Sequence, residues 1–116
     1  MVGMNTDTLA AVLAEVKTST VTPVRASGCG RVYVCLSGFD MTSMTSRKVD
    51  AKIVKAVAEA AKKVGMIFQR KAHYGMTNAL YVGYDNATGR ELAKGELLAR
   101  RLTEAGVPAY CDAHGD

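Results

Sequence analysis

Apolar positions recur at helical spacing in three stretches of the chain and follow a strand-like alternation in two others. Leu9, Val12, Leu13 and Val16 fall at i, i+3, i+4 and i+7, which predicts a helix over 5–17 with Asn5 as its cap. Val49, Ile53, Val57, Ala60 and Val64 form the stripe of a second helix over about 47–64, with Gly65 at its C-terminal stop. Leu92, Leu98 and Leu102 mark a third over 89–105, stopped by Gly106. Thr88 and Glu91 have the spacing of a capping box at its start. Gly95 lies on its apolar side and permits close approach to a sheet.

Between the helices the period changes to two. In 31–38, Val32, Val34 and Leu36 point one way, and Arg31, Tyr33, Cys35 and Ser37 the other. In 78–84, Leu80, Val82 and Tyr84 oppose Ala79, Tyr81 and Gly83. A last strand is expected over 107–113, and a short one over 66–71, where alternation is poor. Residues 18–30, 41–46 and 72–77 read as linker, loop and turn.

The element order is α, then βαββαβ. This is the split βαβ, ferredoxin-like order of an α+β fold, and it implies an antiparallel four-stranded sheet in the order 4-1-3-2. Two helices are expected on one face, with an extra N-terminal helix. An internal repeat supports this reading. Val32-Tyr33-Val34 matches Leu80-Tyr81-Val82, Asp40 matches Asp85, and Gly65 matches Gly106. Residues 1–116 then form one domain, with a βαβ unit used at 31–73 and again at 79–114.

A length of 116 residues suits a single core, and 48% hydrophobic with 22% charged residues excludes disordered, collagenous and coiled-coil classes. The three cysteines, Cys29, Cys35 and Cys111, contain no Cys-x-x-Cys pair. That argues against a disulfide scaffold or zinc finger and for reduced thiols in a cytoplasmic protein. No segment has the length of a membrane span, and the N-terminal region lacks a signal-peptide pattern, so no membrane partner is expected.

Net charge is +4, unevenly spread. Residues 47–71 hold eight basic and two acidic residues, while the rest of the chain carries −2. Lys48, Lys52, Lys55, Arg70 and Lys71 are candidates for contact with nucleic acid or another anion. A solvated helix face is the ordinary alternative.

Catalytic signatures are sparse. No phosphate loop, nucleophile elbow or zincin motif occurs. The expected topology brings Asp40 and His73 to one sheet edge, and Asp85 and His114 to the other. Cys111-Asp112-Ala113-His114 offers Asp112 and His114 as weak metal ligands, short of a complete shell. No cofactor is expected. Asp40, at the end of the first strand, resembles the carboxylate of small CRISPR-associated dimeric nucleases, which implies Mg²⁺-dependent phosphodiester cleavage as one alternative.

The sheet face away from the helices is expected to carry Arg31, Tyr33, Cys35, Ala79, Tyr81 and Gly83, flanked by Gln69 with Lys71, or their neighbours such as Phe68, and by Tyr110. Val32-Tyr33-Val34-Cys35-Leu36 resembles the first-strand motif of the RNA recognition motif family, which implies base stacking on Tyr33 and Tyr81 with Arg31 and Lys71 at phosphates. Asn78–Tyr84 departs from that family, with Ala79 at one stacking position and no Lys/Arg-Gly opening. Two other covers compete: a second copy packed sheet to sheet, as in dimeric α/β-barrel proteins with or without an enclosed ligand, and the N-terminal helix folded back. The mixture of Cys, Ala and Tyr favours a packed cover over nucleic acid. The expectation is a small, non-enzymatic, dimeric binding or regulatory module, such as an accessory protein of a phage or mobile element.

Overall fold

The computed structural model describes residues 5–23, 29–40, 45–47, 49–72 and 76–115. The side chains of 29, 38–40, 45–47, 114 and 115 lie outside that description. The order of elements is α1 (Thr6–Thr18), β1 (Cys29–Leu36), β2 (Gly38–Asp40), β3 (Thr45–Arg47), α2 (Ala51–Val64), β4 (Ile67–Lys71), β5 (Thr77–Asn86), α3 (Arg90–Glu104) and β6 (Ala109–Gly115).

The fold is α+β. One sheet has the order β4-β5-β1-β6, antiparallel throughout, which is the expected 4-1-3-2 order read from its other edge. The two central strands carry the repeated Tyr motif, and their register sets Tyr33 directly opposite Tyr81. β2 and β3 form a separate two-stranded sheet. Among the described residues, no helix is long and apolar enough to cross a membrane.

Local chemistry explains most boundaries. Asn5 accepts a hydrogen bond from the Asp7 N–H at 2.8 Å and so starts α1 as expected. α2 begins four residues later than its apolar stripe predicts. Asp50 caps it by accepting from the Lys52 N–H at 2.7 Å, and Arg47 belongs to β3. Both long helices end the same way. Gly65 and Gly106 have left-handed φ of 75° and 96°, and the following N–H reaches back five residues, Met66 to Ala61 and Val107 to Leu102.

The first strand stops at Leu36 and does not run on to Asp40. Ser37 donates to the Pro108 carbonyl at 3.0 Å, but proline has no N–H to return the bond, so pairing with β6 ends there. The expected loop 41–46 is partly strand, since Thr45–Arg47 pairs with Gly38–Asp40. Residues 41–44 lie outside the described residues.

The core lies between helices and sheet. Leu9, Leu13 and Val16 of α1 share one buried cluster with Val54 and Val57 of α2, Leu98 and Leu102 of α3, and Val34, Leu36 and Leu80 of the sheet. Full burial of each large aliphatic side chain contributes about 1.5–3 kcal/mol. The N-terminal helix therefore does not cover the open sheet face. It joins the helical side, because its apolar stripe meets α2 and α3. Polar ties confirm that seat: Lys63 pairs with Asp7, Arg101 with Glu15, and Thr6 donates to Glu59.

α3 lies close on the sheet because Gly95 has no side chain. A Cβ there would sit 2.7 Å from both Cys111 Sγ and Val32 Cγ1.

Candidate functional site

Register decides what the open face carries. Gln69, Ala79, Cys35 and Tyr110 form one row across the four strands, and Ile67, Tyr81, Tyr33 and Asp112 the next. A β-bulge follows. Val32 pairs with Gly83 while Tyr33 pairs with Tyr81, so β5 holds one extra residue at this point. The bulge reverses the alternation expected beyond Val82. Tyr84 pairs with Arg31 on the open side, whereas Gly83 turns to the helices, where a Cβ would lie 2.6 Å from Glu91 Oε2.

The centre of this face is filled. Tyr33, only 2% exposed, packs with Cys35, Ala79 and Met76, with Ala72 and Tyr81 against them. The Tyr33 and Tyr81 rings are tilted by 54° with centroids 5.3 Å apart. A nucleic-acid base would not reach the Tyr33 ring in this arrangement. Burial pushes the Cys35 thiol up, and it pushes the Cys111 thiol up to about 12, with the Glu96 and Asp112 carboxylates adding to the effect. Both cysteines are free thiols and poor nucleophiles at neutral pH.

Around that centre lies an exposed apolar rim. Ile67, Tyr84 and Tyr110 are 56%, 42% and 46% exposed, and all three stand on the open face. Ile67 and Tyr84 were not among the residues anticipated there. Ile67 sits in a strand whose alternation is poor, and Tyr84 changes face only because of the bulge.

The remaining candidates scatter. Lys52, Lys55, Arg70 and Lys71 are exposed, and Arg70 lies over the Phe68 ring at 5.7 Å. Lys48 and His73 are outside the described residues, as is the side chain of Asp40, whose backbone belongs to the β2–β3 hairpin. Arg31 is half-buried and pairs in register with His114. Among the described residues, no group of three or more His, Cys, Asp or Glu is placed to hold a metal, Asp112 included.

Asp85 has a structural role, and the side chain of His114, its expected neighbour, lies outside the described residues. Asp85 is 3% exposed, and its carboxylate accepts from the N–H groups of Thr88 at 2.8 Å, Gly89 at 2.9 Å and Leu92 at 3.1 Å. It thus takes most of the capping expected of Thr88 and Glu91, while the Thr88 hydroxyl accepts from the Arg90 N–H at 3.3 Å. Gly89 is the helix N-cap and has no side chain to contribute. Burial alone would raise the Asp85 pKa, but the three N–H groups and the Thr88 hydroxyl together hold it below the ordinary carboxylate range.

A scan of protein-family models, a search of curated proteins and a search of solved structures each give no match to this chain.

Proposed function

We propose that this chain is a cytoplasmic, non-enzymatic binding module with a ferredoxin-like core, and that it self-associates through the open face of its sheet. One observation carries the reading: the three exposed large apolar side chains among the described residues, Ile67, Tyr84 and Tyr110, share that face. The charges there nearly balance, with Arg31 and Lys71 against Asp112, which suits a second copy better than a polyanion. The sheet face measures roughly 450 Å² in plan. A stable interface buries about 800 Å² per partner, so the dimer is a reversible one.

Sedimentation over about 1–500 μM tests this. The mass is expected to rise from 12.3 kDa toward twice that value. Ile67→Asp with Tyr110→Glu removes two anchors from each copy and should weaken association roughly a hundredfold or more. A wild-type chain that stays monomeric throughout, or a double variant that associates equally well, overturns the reading.

A second reading rests on α2. Lys63 is engaged by Asp7, but exposed Lys52, Lys55 and Lys62 have no carboxylate partner among the described residues. This face supports non-specific contact with a polyanion such as single-stranded nucleic acid. Fluorescence anisotropy with a labelled oligonucleotide should show affinity falling steeply with salt. Lys52→Glu with Lys55→Glu should reduce that salt slope by about two. Unchanged affinity and slope in the variant would remove this reading.

A further inference from the structure

Beside the helices, at the start of β4, lies a cleft of about 190 Å³ where the C-terminal ends of α1 and α2 meet α3 and β5, with Ile67 and Tyr81 at its sheet-edge border. We infer that it is a binding site for a small aliphatic zwitterion of the α-amino acid class. Its apolar wall is Met66, Val82 and Leu98, and its charged lining is Lys17, Lys94 and Glu91.

Each charge has a physical reason to be there. Lys17 Nζ donates to the Val64 carbonyl at 2.8 Å, and Lys94 Nζ donates to the Lys17 carbonyl at 3.3 Å. Each ammonium thus caps the C-terminal turn of one helix and keeps further N–H donors for a ligand. Glu91 is different. Asp85 has taken the capping role, so the Glu91 carboxylate lies instead over Gly83, in space that any Cβ would fill. It is half-buried and makes no hydrogen bond or ion pair among the described residues. β4 ends its pairing with β5 at Tyr81, so Val82 presents an unpaired strand edge to the same space.

The ligand class follows from this lining. A carboxylate alone would meet the two ammonium groups but leave Glu91 uncompensated beside a second negative charge. An amine alone would meet Glu91 but face the two lysines. A molecule carrying both groups on one carbon, with a short aliphatic tail for the apolar wall, satisfies all three. The volume lies below the roughly 300–1,000 Å³ of drug-sized pockets and limits the occupant to on the order of ten heavy atoms.

The test is an amide NMR titration of the full chain with L-leucine, and separately with its two halves, 4-methylpentanoate and 3-methylbutylamine. L-Leucine should shift the amides of Lys17, Gly65, Val82 and Lys94 with a Kd on the order of 1 mM. Each half should bind about tenfold more weakly. Glu91→Gln should cancel the advantage of leucine over 4-methylpentanoate while leaving the latter unchanged, and Lys94→Met should weaken both. Absence of shifts at these amides up to about 20 mM leucine overturns the inference. So does a half-ligand that binds as tightly as leucine. The comparison of the three probes on the unaltered chain stands even if a variant loses its fold.

Discussion

Asp85→Ala is expected to destabilise the fold by about 2–4 kcal/mol, although the residue touches no proposed ligand. An ordinary helix cap is worth about 1 kcal/mol. Asp85 does more, because one carboxylate serves the N–H groups of Thr88, Gly89 and Leu92, and Gly89 is itself buried. Its removal leaves those donors facing a helix end with no substitute acceptor from the N-cap glycine. Urea unfolding of the variant measures the loss, and a change below about 0.5 kcal/mol would contradict this account.

The same carboxylate gives stability a pH dependence of definite sign. Its pKa in the folded chain is held below that of the unfolded chain, which is near 3.9. The contribution is therefore complete at neutral pH. It declines as pH falls below about 4 and is lost once pH passes through the folded pKa. Asp85→Asn should flatten the acid limb of the stability profile. An identical acid limb in both proteins would show that other carboxylates dominate it.

Gly95→Val is expected to be at least as damaging, at about 3 kcal/mol or more. In an open helix, replacing glycine by alanine gains about 1 kcal/mol. Here even the first added carbon would lie 2.7 Å from Cys111 Sγ and from Val32 Cγ1, both on the sheet beneath α3. Overpacking of that kind costs about 1–3 kcal/mol for one carbon, so Gly95→Ala should be close to neutral or destabilising by up to about 2 kcal/mol. The two further methyl groups of valine must move the helix off the sheet. Cys111→Ala should relieve part of the clash, so the Gly95→Ala and Cys111→Ala effects should be non-additive by about 0.5–3 kcal/mol. Strict additivity would mean that the helix simply shifts to accommodate the carbon.

Gly95 also shows where sequence is informative. A glycine on the apolar stripe of a long helix states a close approach, and Asn5, Gly65 and Gly106 state helix ends as plainly. Their signals are local, and so was the order of the elements. What the local pattern misses is mostly competition between neighbours. Thr88 and Glu91 have capping-box spacing, and Thr88 does accept from the Arg90 N–H, but Asp85 approaches from the end of β5 and takes the Thr88, Gly89 and Leu92 donors. Val49 continues the apolar stripe toward Arg47, yet Asp50 captures the Lys52 N–H and starts the helix later. The bulge at Val82–Gly83 is invisible to a period-two rule. A glycine inside a strand is its only trace, and that trace does not say which way Tyr84 will turn.

The open-face candidates were legible in part. Tyr33 and Tyr81 were placed together correctly, but their burial depends on Met76, which comes from a connection with no pattern of its own. The side on which α1 packs was equally hidden, because its amphipathic stripe suits either face of the sheet. Lys17 and Lys94 become neighbours through a contact 77 residues long, which no local reading contains.

The edge strand β4 carries one more consequence. Two such edges laid together would bring the Arg70 and Lys71 of each copy, four cations in all, into a ladder only about 17 Å long. Their repulsion opposes open-ended strand addition, the usual route from a bare sheet edge to fibres. Any attraction between copies is thereby steered away from growth in one dimension and toward a closed pair, which stops at two.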